Sequence, residues 1–351
     1  MPTLRAGSPI PIGPVSSETL DWQPSAPSMH SRAEVARQTG PYEATVETTI
    51  ADWAPVISGE DLADFEDATR RLVEFDTHAQ RTLGTDNPVL GPMAAILLRT
   101  ESASSSQIEQ LTTSAKHLAL AEIDEGDKEN ARTVIGNVRA MEAALKLSGE
   151  VSEESILAMH RVLMLHQRGF PAAEAGRFRS EQVWIGPGQA GPRTAEFVAP
   201  HHARIQGAIA DLVRFVNRQD LPVLVQVAVA HAQFETIHPF HDGNGRTGRA
   251  LAQSIFRNKY LVGSTTVPLS TGLLVDVDRY FTSLGEFRRG DAGPVIREFA
   301  NASRIAAASG TQLVDNLAAQ IEASRASLVG VRSDAAAWRV LPVLVGQPVV
   351  N

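Results

Sequence analysis

The sequence predicts a mainly α-helical protein that carries one β-hairpin. Apolar residues recur at alternating three- and four-residue steps over most of the chain, the mark of helices with one buried face. One segment departs from that period. Val183-Trp184-Ile185, a Gly/Pro turn from Gly186 to Pro192, and Glu196-Phe197-Val198 read as two short strands and their turn. With 351 residues, 43% of them hydrophobic, the chain is long enough for about two structural units and a substantial core.

Composition narrows the chemistry. The chain has no cysteine, so a disulfide framework, a thiolate nucleophile and a Cys-ligated metal are excluded. Its 32 Lys and Arg against 40 Asp and Glu give a net charge of −8, which argues against a general nucleic-acid surface. No apolar run approaches the ~20 residues of a membrane span, and the N-terminus lacks the apolar core of a signal peptide. A cytoplasmic protein is expected.

Residues 1–40 carry Pro2, Pro9, Pro11, Pro14, Pro24 and Pro27 with many serines and no apolar period, and read as a disordered tail. Ser58-Gly-Glu-Asp61 opens the first helix like a capping box, followed by Phe65, Ala68, Leu72 and Phe75 on one face. Asn87-Pro88 and Gly91-Pro92 break the chain before Met93 to Leu98. Three further stripes mark helices: Ala131, Val134, Ile135, Val138, Met141 and Leu145; then Ile156, Met159 and Leu163; then Ile209, Leu212, Val213 and Val216. The hairpin falls between the last two. A long apolar segment, Leu221 to Ile237, leads through a polar loop into the helical stretch Ala250 to Phe256. Val295, Ile296 and Phe299 start another helix, Leu313, Leu317 and Ile321 a later one, and Asp334 to Leu344 reads as a last.

The loop between the apolar segment and Ala250 carries the chemistry. Gly243, Gly245 and Gly248 around Asn244 let backbone N–H groups surround an anion with no Cβ in the way. A helix starting near Arg246 adds its N-terminal dipole there. Arg246 and Arg249 stand on its first turn, and guanidinium forks match phosphate oxygens. Asp242 supplies a hard carboxylate suited to Mg²⁺ shared with a nucleotide phosphate. His238, held before Pro239 at the end of the preceding helix, can take a proton near neutral pH. A zinc pair of His238 and His241 lacks further ligands, and no Gly-x-x-x-x-Gly-Lys is present.

His238-Pro-Phe-His-Asp-Gly-Asn-Gly-Arg-Thr-Gly-Arg249 resembles the Fic-domain motif at every fixed position. The resemblance implies a helical bundle with a β-hairpin flap, and transfer of AMP from ATP to a Ser, Thr or Tyr hydroxyl of a protein with release of pyrophosphate. It implies His238 as base, Asp242 as Mg²⁺ ligand, and Asn244 with the Gly243 and Gly245 backbone at the α-phosphate. Arg249 would hold the γ-phosphate, with Arg246, Thr247 and Gly248 in the same ATP-binding loop. Gly176-Arg-Phe-Arg179 with Val183-Trp-Ile-Gly186 resembles the flap that receives a target segment as an added strand. Val183 and Gly186 then belong to the nucleotide site, as does Tyr280 against adenine. Arg288 departs from the pattern, standing where related sites have asparagine.

Ser105-Ser-Gln-Ile-Glu109 resembles the inhibitory Ser/Thr-x-x-x-Glu motif of one class of the family, with Gln110 in place of Gly or Asn. The resemblance implies that Glu109 pairs with Arg249 and excludes the γ-phosphate, since one fork cannot hold both anions. It divides the chain into the tail (1–40), an N-terminal helical region with the inhibitory motif (41–125), a catalytic core (126–310) and C-terminal helices (311–351) like the opening of a winged-helix domain. The implied partner is a target protein docking on the flap, with self-modification and a homodimer left open, no membrane, and no DNA. De-AMPylation, transfer of another phosphate-containing group, and a nucleotide-binding adaptor without turnover are the competing functions.

Overall fold

The computed structural model describes residues 7–83, 90–123, 125, 128–146, 150–263, 265–332 and 335–346. The described residues open not with a disordered tail but with a strand, β1 (Ser16–Trp22), a short helix, α1 (Arg32–Gln38), and a second strand, β2 (Gly40–Val46). The two strands pair antiparallel, from Ser16 opposite Val46 to Trp22 opposite Gly40. From residue 7 to 40 the expectation of a tail does not hold, because the partners that order this segment are remote. Ile10 and Ile12 are buried. The Ile12 and Val15 amides donate to Gly290 and Arg288 carbonyls, and the Ala292 amide donates to Ile10. None of these partners leaves a local period.

Long helices follow: α2 (Gly59–Leu83), α3 (Leu90–Ile108), α4 (Ala115–Glu122), α5 (Glu129–Lys146) and α6 (Glu153–Met164). Ser58 caps α2, its hydroxyl accepting from the Asp61 amide at 3.1 Å. Phe65, Ala68, Leu72 and Phe75 are buried as the stripe requires, each large side chain contributing about 1.5–3 kcal/mol. Asn87-Pro88 lies outside the described residues, whereas α3 takes Gly91-Pro92 into its first turn, a position where proline forfeits no hydrogen bond. The stripes on α5 and α6 point into the core.

The expected hairpin is present as β3 (Trp184–Ile185) paired antiparallel with β4 (Phe197–Val198). Then come α7 (Ile205–Val216), α8 (Val223–Ile237), α9 (Asn244–Asn258), α10 (Leu269–Leu273), α11 (Val277–Arg288), α12 (Gly293–Ser327) and α13 (Ala336–Gly346). Helix α8 is buried on every side from Leu224 to Ile237, so it is the axis of the bundle. Helices α7, α9, α11 and α12 pack around it. The stretches expected as two helices near 295 and 313 are one. Gly310 does not break α12, because there the helix meets the ring of Phe75 on α2, which a β-carbon would approach to 2.6 Å. Helix α13 packs on α3, and Asp334 lies outside the described residues. No described helix is long and apolar enough to cross a membrane.

The N-terminal hairpin is built onto the flap. Trp22 meets Trp184 edge-on at 5.3 Å and donates Nε1–H to the Ala190 carbonyl at 2.8 Å. Arg193 donates to the Arg37, Thr39 and Pro41 carbonyls at 2.7–3.0 Å, capping the end of α1. Gln38 binds the flap twice, accepting from the Arg193 amide and donating to Thr194 Oγ1.

Candidate active site

Pro239 forces α8 to end, and His238 turns it in the left-handed region with φ 49° and ψ 60°. Few residues with a side chain occupy that region. Helix α9 starts six residues on, at Asn244, slightly earlier than expected. Its N-cap is Gly243 with φ 76°, where a β-carbon would come within 2.8 Å of Met164 Sδ. No side chain caps this N-terminus, so its first N–H groups are left for a ligand.

The loop between the helices is held from below. Asn244 Oδ1 accepts from the Phe240 amide at 2.9 Å, and its Nδ2 donates to the Phe240 carbonyl at 2.8 Å. Its amide group thus shapes the turn, leaving the backbone N–H groups to carry the anion site. His160 on α6 stacks on Phe240 at 3.6 Å. Burial pulls its imidazole down to about 4, so it is neutral. Nδ1 accepts from the Gly176 amide, which leaves Nε2–H to donate to the Asp242 carbonyl at 3.1 Å.

A cavity of about 340 Å³ opens over this loop, lined by His238, Asp242, Gly243, Asn244, Gly245 and Arg246 together with Glu109, Gln167, Arg168 and neighbours on α5. Burial, with Arg179 and Arg288 nearby, pulls His238 down to about 4. Among the described residues its Nδ1 has no hydrogen-bond partner. The imidazole is therefore neutral at pH 7. If His238 is the base, the acid limb of kcat/KM in a Glu109→Gly variant falls near pH 4 or below, not near 6.5. Glu109 raises the His238 pKa, so its loss can only move the limb down. A pH–rate profile with a limb near 6.5 would contradict the buried, neutral base.

Asp242 is half exposed. Oδ2 accepts from Gln167 Nε2 and Oδ1 from the Gly243 amide, both at 2.5 Å. Among the described residues no group of three or more His, Asp or Glu could hold a metal ion. One carboxylate beside an anion site fits a cation that keeps its waters and shares phosphate oxygens, as Mg²⁺ does. Arg246 is 3% exposed. One terminal nitrogen donates to Gln167 Oε1 at 2.9 Å and lies 3.5 Å from Asp242 Oδ1. Its Nε and Nη1 have no partner among the described residues, an expensive state that phosphate oxygens would relieve.

Arg249 is 1% exposed. It donates Nε–H to Ser105 Oγ and Nη2–H to both the Ser105 carbonyl and Glu109 Oε1, each at 2.8 Å. Burial alone would lower its pKa, but Glu109, Tyr280 and Glu235 more than offset this and raise it. The Glu109 carboxylate rests on Gly245, where a β-carbon would collide with Oε1. Gln110, just past α3, has φ 60°, the region that Gly and Asn enter at least cost. Gln110→Gly is expected to stabilise the fold by about 0.5–1 kcal/mol, read as a higher Tm. An unchanged or lower Tm would show that the Gln110 side chain compensates.

The structure therefore gathers His238, Asp242, Gly243, Asn244, Gly245 and Arg246 on one cavity, with Ser105, Glu109 and Arg249 along its side. The remaining expected residues are not among the cavity lining. Thr247 is fully buried. Gly248 faces α8, against Phe234 and Glu235. Tyr280 is 1% exposed, its hydroxyl 2.7 Å from His231 Nε2, and it packs in the core. Val183 and Gly186 lie on the flap, outside the cavity lining. Arg288 lies 3.7 Å above the Phe197 ring and donates to the Glu235 carbonyl, joining flap to α8. The supporting residues His160, Gln167 and Glu235 escaped the sequence reading. The only signal was a histidine inside the apolar stripe of α6.

Models of the Fic/DOC family and of its N-terminal region match residues 150–256 and 62–146, together more than half of the chain. The chain is 31% identical over 157 residues to protein adenylyltransferase fic-1 of Caenorhabditis briggsae, covering 44% of this chain and 27% of that protein. It is 27% identical over 199 residues to a probable protein adenylyltransferase of Aquifex aeolicus, covering 52% and 58%. The matches thus span less than two thirds of either relative. Among solved structures it resembles a Fic family protein from Desulfovibrio desulfuricans G20, with TM-score 0.58, 25% identity and 73% and 75% of the two chains covered. It shares its fold with part of Fic-1 from C. elegans, with TM-score 0.52, 23% identity and coverage of 74% and 73%.

Proposed function

Because the chain belongs to the Fic/DOC family, we propose that it transfers AMP from ATP to a hydroxyl of a protein and that Glu109 restrains it. One observation carries this reading: a neutral histidine, a bare helix N-terminus and a buried arginine with unmet donors line the same cavity. That combination suits a reaction in which a proton leaves an attacking hydroxyl while charge builds on phosphoryl oxygens.

The acceptor is a Ser, Thr or Tyr side chain of a segment laid along the flap as an extra strand. Its hydroxyl proton passes to His238 as its oxygen bonds to the α-phosphorus. The bond from that phosphorus to the bridging oxygen breaks, and pyrophosphate leaves. The first N–H groups of α9 hold the α-phosphate region, and Arg246 supplies its free donors to the oxygens beyond. Asp242 would hold Mg²⁺, which supplies charge neutralisation on the phosphates when bound. Arg249 would take the γ-phosphate once Glu109 withdraws. Glu109 lines the same cavity as His238, which also supports a second reading, removal of AMP from a modified protein with Glu109 orienting the attacking water.

The deciding experiment incubates wild type, Glu109→Gly and His238→Ala with Mg²⁺ and cell lysate, using α-labelled and, separately, γ-labelled ATP. Protein label from the α position alone supports AMP transfer. Label from the γ position points to phosphate transfer. No label, with AMP lost from a pre-modified protein, selects the reverse reaction.

A further inference from the structure

We infer that Arg179 is a positioning residue that fixes the flap relative to His238, and so sets where a flap-docked acceptor meets the base. The inference deepens the transfer reading and rests on it. Arg179 precedes the flap and is 3% exposed. Among the described residues, its side chain donates to main-chain carbonyls that fall into two groups. At the roots of the flap, it donates to Glu181 at 2.8 Å and Pro200 at 2.5 Å. At the end of α8, it donates Nε–H to the His238 carbonyl at 2.8 Å, with a longer contact to Ile237. Its own amide donates to the Pro239 carbonyl at 3.0 Å.

A guanidinium is planar and rigid, so its donors cannot follow two groups of carbonyls independently. One side chain therefore sets the separation between the hairpin and the residue that takes the proton. The carbonyls at the C-terminal end of α8 are the negative pole of that helix, which suits a buried cation. Lysine could supply the charge but not the fork.

Misplacement of reacting groups by about 1 Å costs on the order of 10²-fold in rate. Water reaches the α-phosphorus without docking on the flap. Loosening the flap should therefore penalise protein acceptors and spare water, which a general loss of structure would not do.

The test uses Arg179→Lys and Arg179→Gln in the Glu109→Gly background. It compares α-labelled AMP placed on lysate or self acceptors with AMP released to water, alongside KM for ATP, Tm and hydrogen exchange of flap amides 183–198. The inference expects protein labelling to fall about 10- to 100-fold, AMP release and KM for ATP to change no more than about 3-fold, and the flap amides to exchange faster. Equal loss for both acceptors, or no loss for either, overturns it. Should Arg179→Gln fail to fold, Arg179→Lys carries the comparison. If the Glu109→Gly parent neither labels protein nor releases AMP, the transfer reading fails by itself. Flap exchange in Arg179→Lys then still decides the linkage, and unchanged protection overturns it.

Discussion

In the Glu109→Gly background, His238→Ala lowers protein labelling from α-labelled ATP by about 10²- to 10⁴-fold, the range expected for removing a positioned general base. The imidazole is already neutral, so the substitution removes a group ready to accept a proton and disturbs no charge balance. Two of its contacts are made by its backbone: the carbonyl accepts from Arg179, and the amide donates to the Phe234 carbonyl. Alanine preserves both. ATP affinity should stay within a few-fold, because the N-terminus of α9, Arg246 and Asp242 are untouched. Labelling that survives the substitution would remove His238 from the chemistry. A loss of ATP binding along with labelling would instead mark it as a structural residue of the loop.

Glu109→Gly raises labelling above wild type by about 10- to 100-fold, the equivalent of one charge-assisted hydrogen bond removed from competition with the phosphate. Ser105 continues to hold Arg249 through Nε–H and one Nη2–H, so the guanidinium keeps its place while the Nη2–H given to Glu109 is released. The variant also leaves a buried cation without its carboxylate, so its Tm falls without nucleotide. Saturating Mg²⁺ and ATP should recover more Tm in the variant than in wild type, since the phosphate replaces the lost anion. Labelling equal to wild type would show that the Glu109–Arg249 pair is no brake.

What the sequence made legible was what lies close together along the chain. The stripes of α5, α6 and α7 announce their buried faces, and Leu221 to Ile237 announces a helix buried on all sides. The loop from His238 to Arg249 is contiguous, so its proline stop, its glycine turn and its arginines could be read directly. The supports of that loop were hidden for the opposite reason. His160 and Gln167 come from 70 to 85 residues upstream, and a histidine in an apolar stripe gives no hint that it holds Asp242. Tyr280, assigned to the nucleotide site by resemblance, has its hydroxyl 2.7 Å from His231 and lies beside Arg249, a placement between core and site that the sequence does not announce. The first hairpin was invisible because Trp22 and Gln38 draw their order from the flap and Tyr42 from Gln182 at its root, 140 or more residues away.

That distant attachment makes the two regions one thermodynamic unit. Releasing the N-terminal strands would strand the Ala190 carbonyl and the Arg193 guanidinium, and melting the flap would strand Trp22 and Gln38 in turn. Neither can open alone without exposing donors and acceptors on the other, so they should open together as a single subglobal step. A strand bound along the flap would then favour the closed form of both, and its binding energy would be shared with residues 16–46.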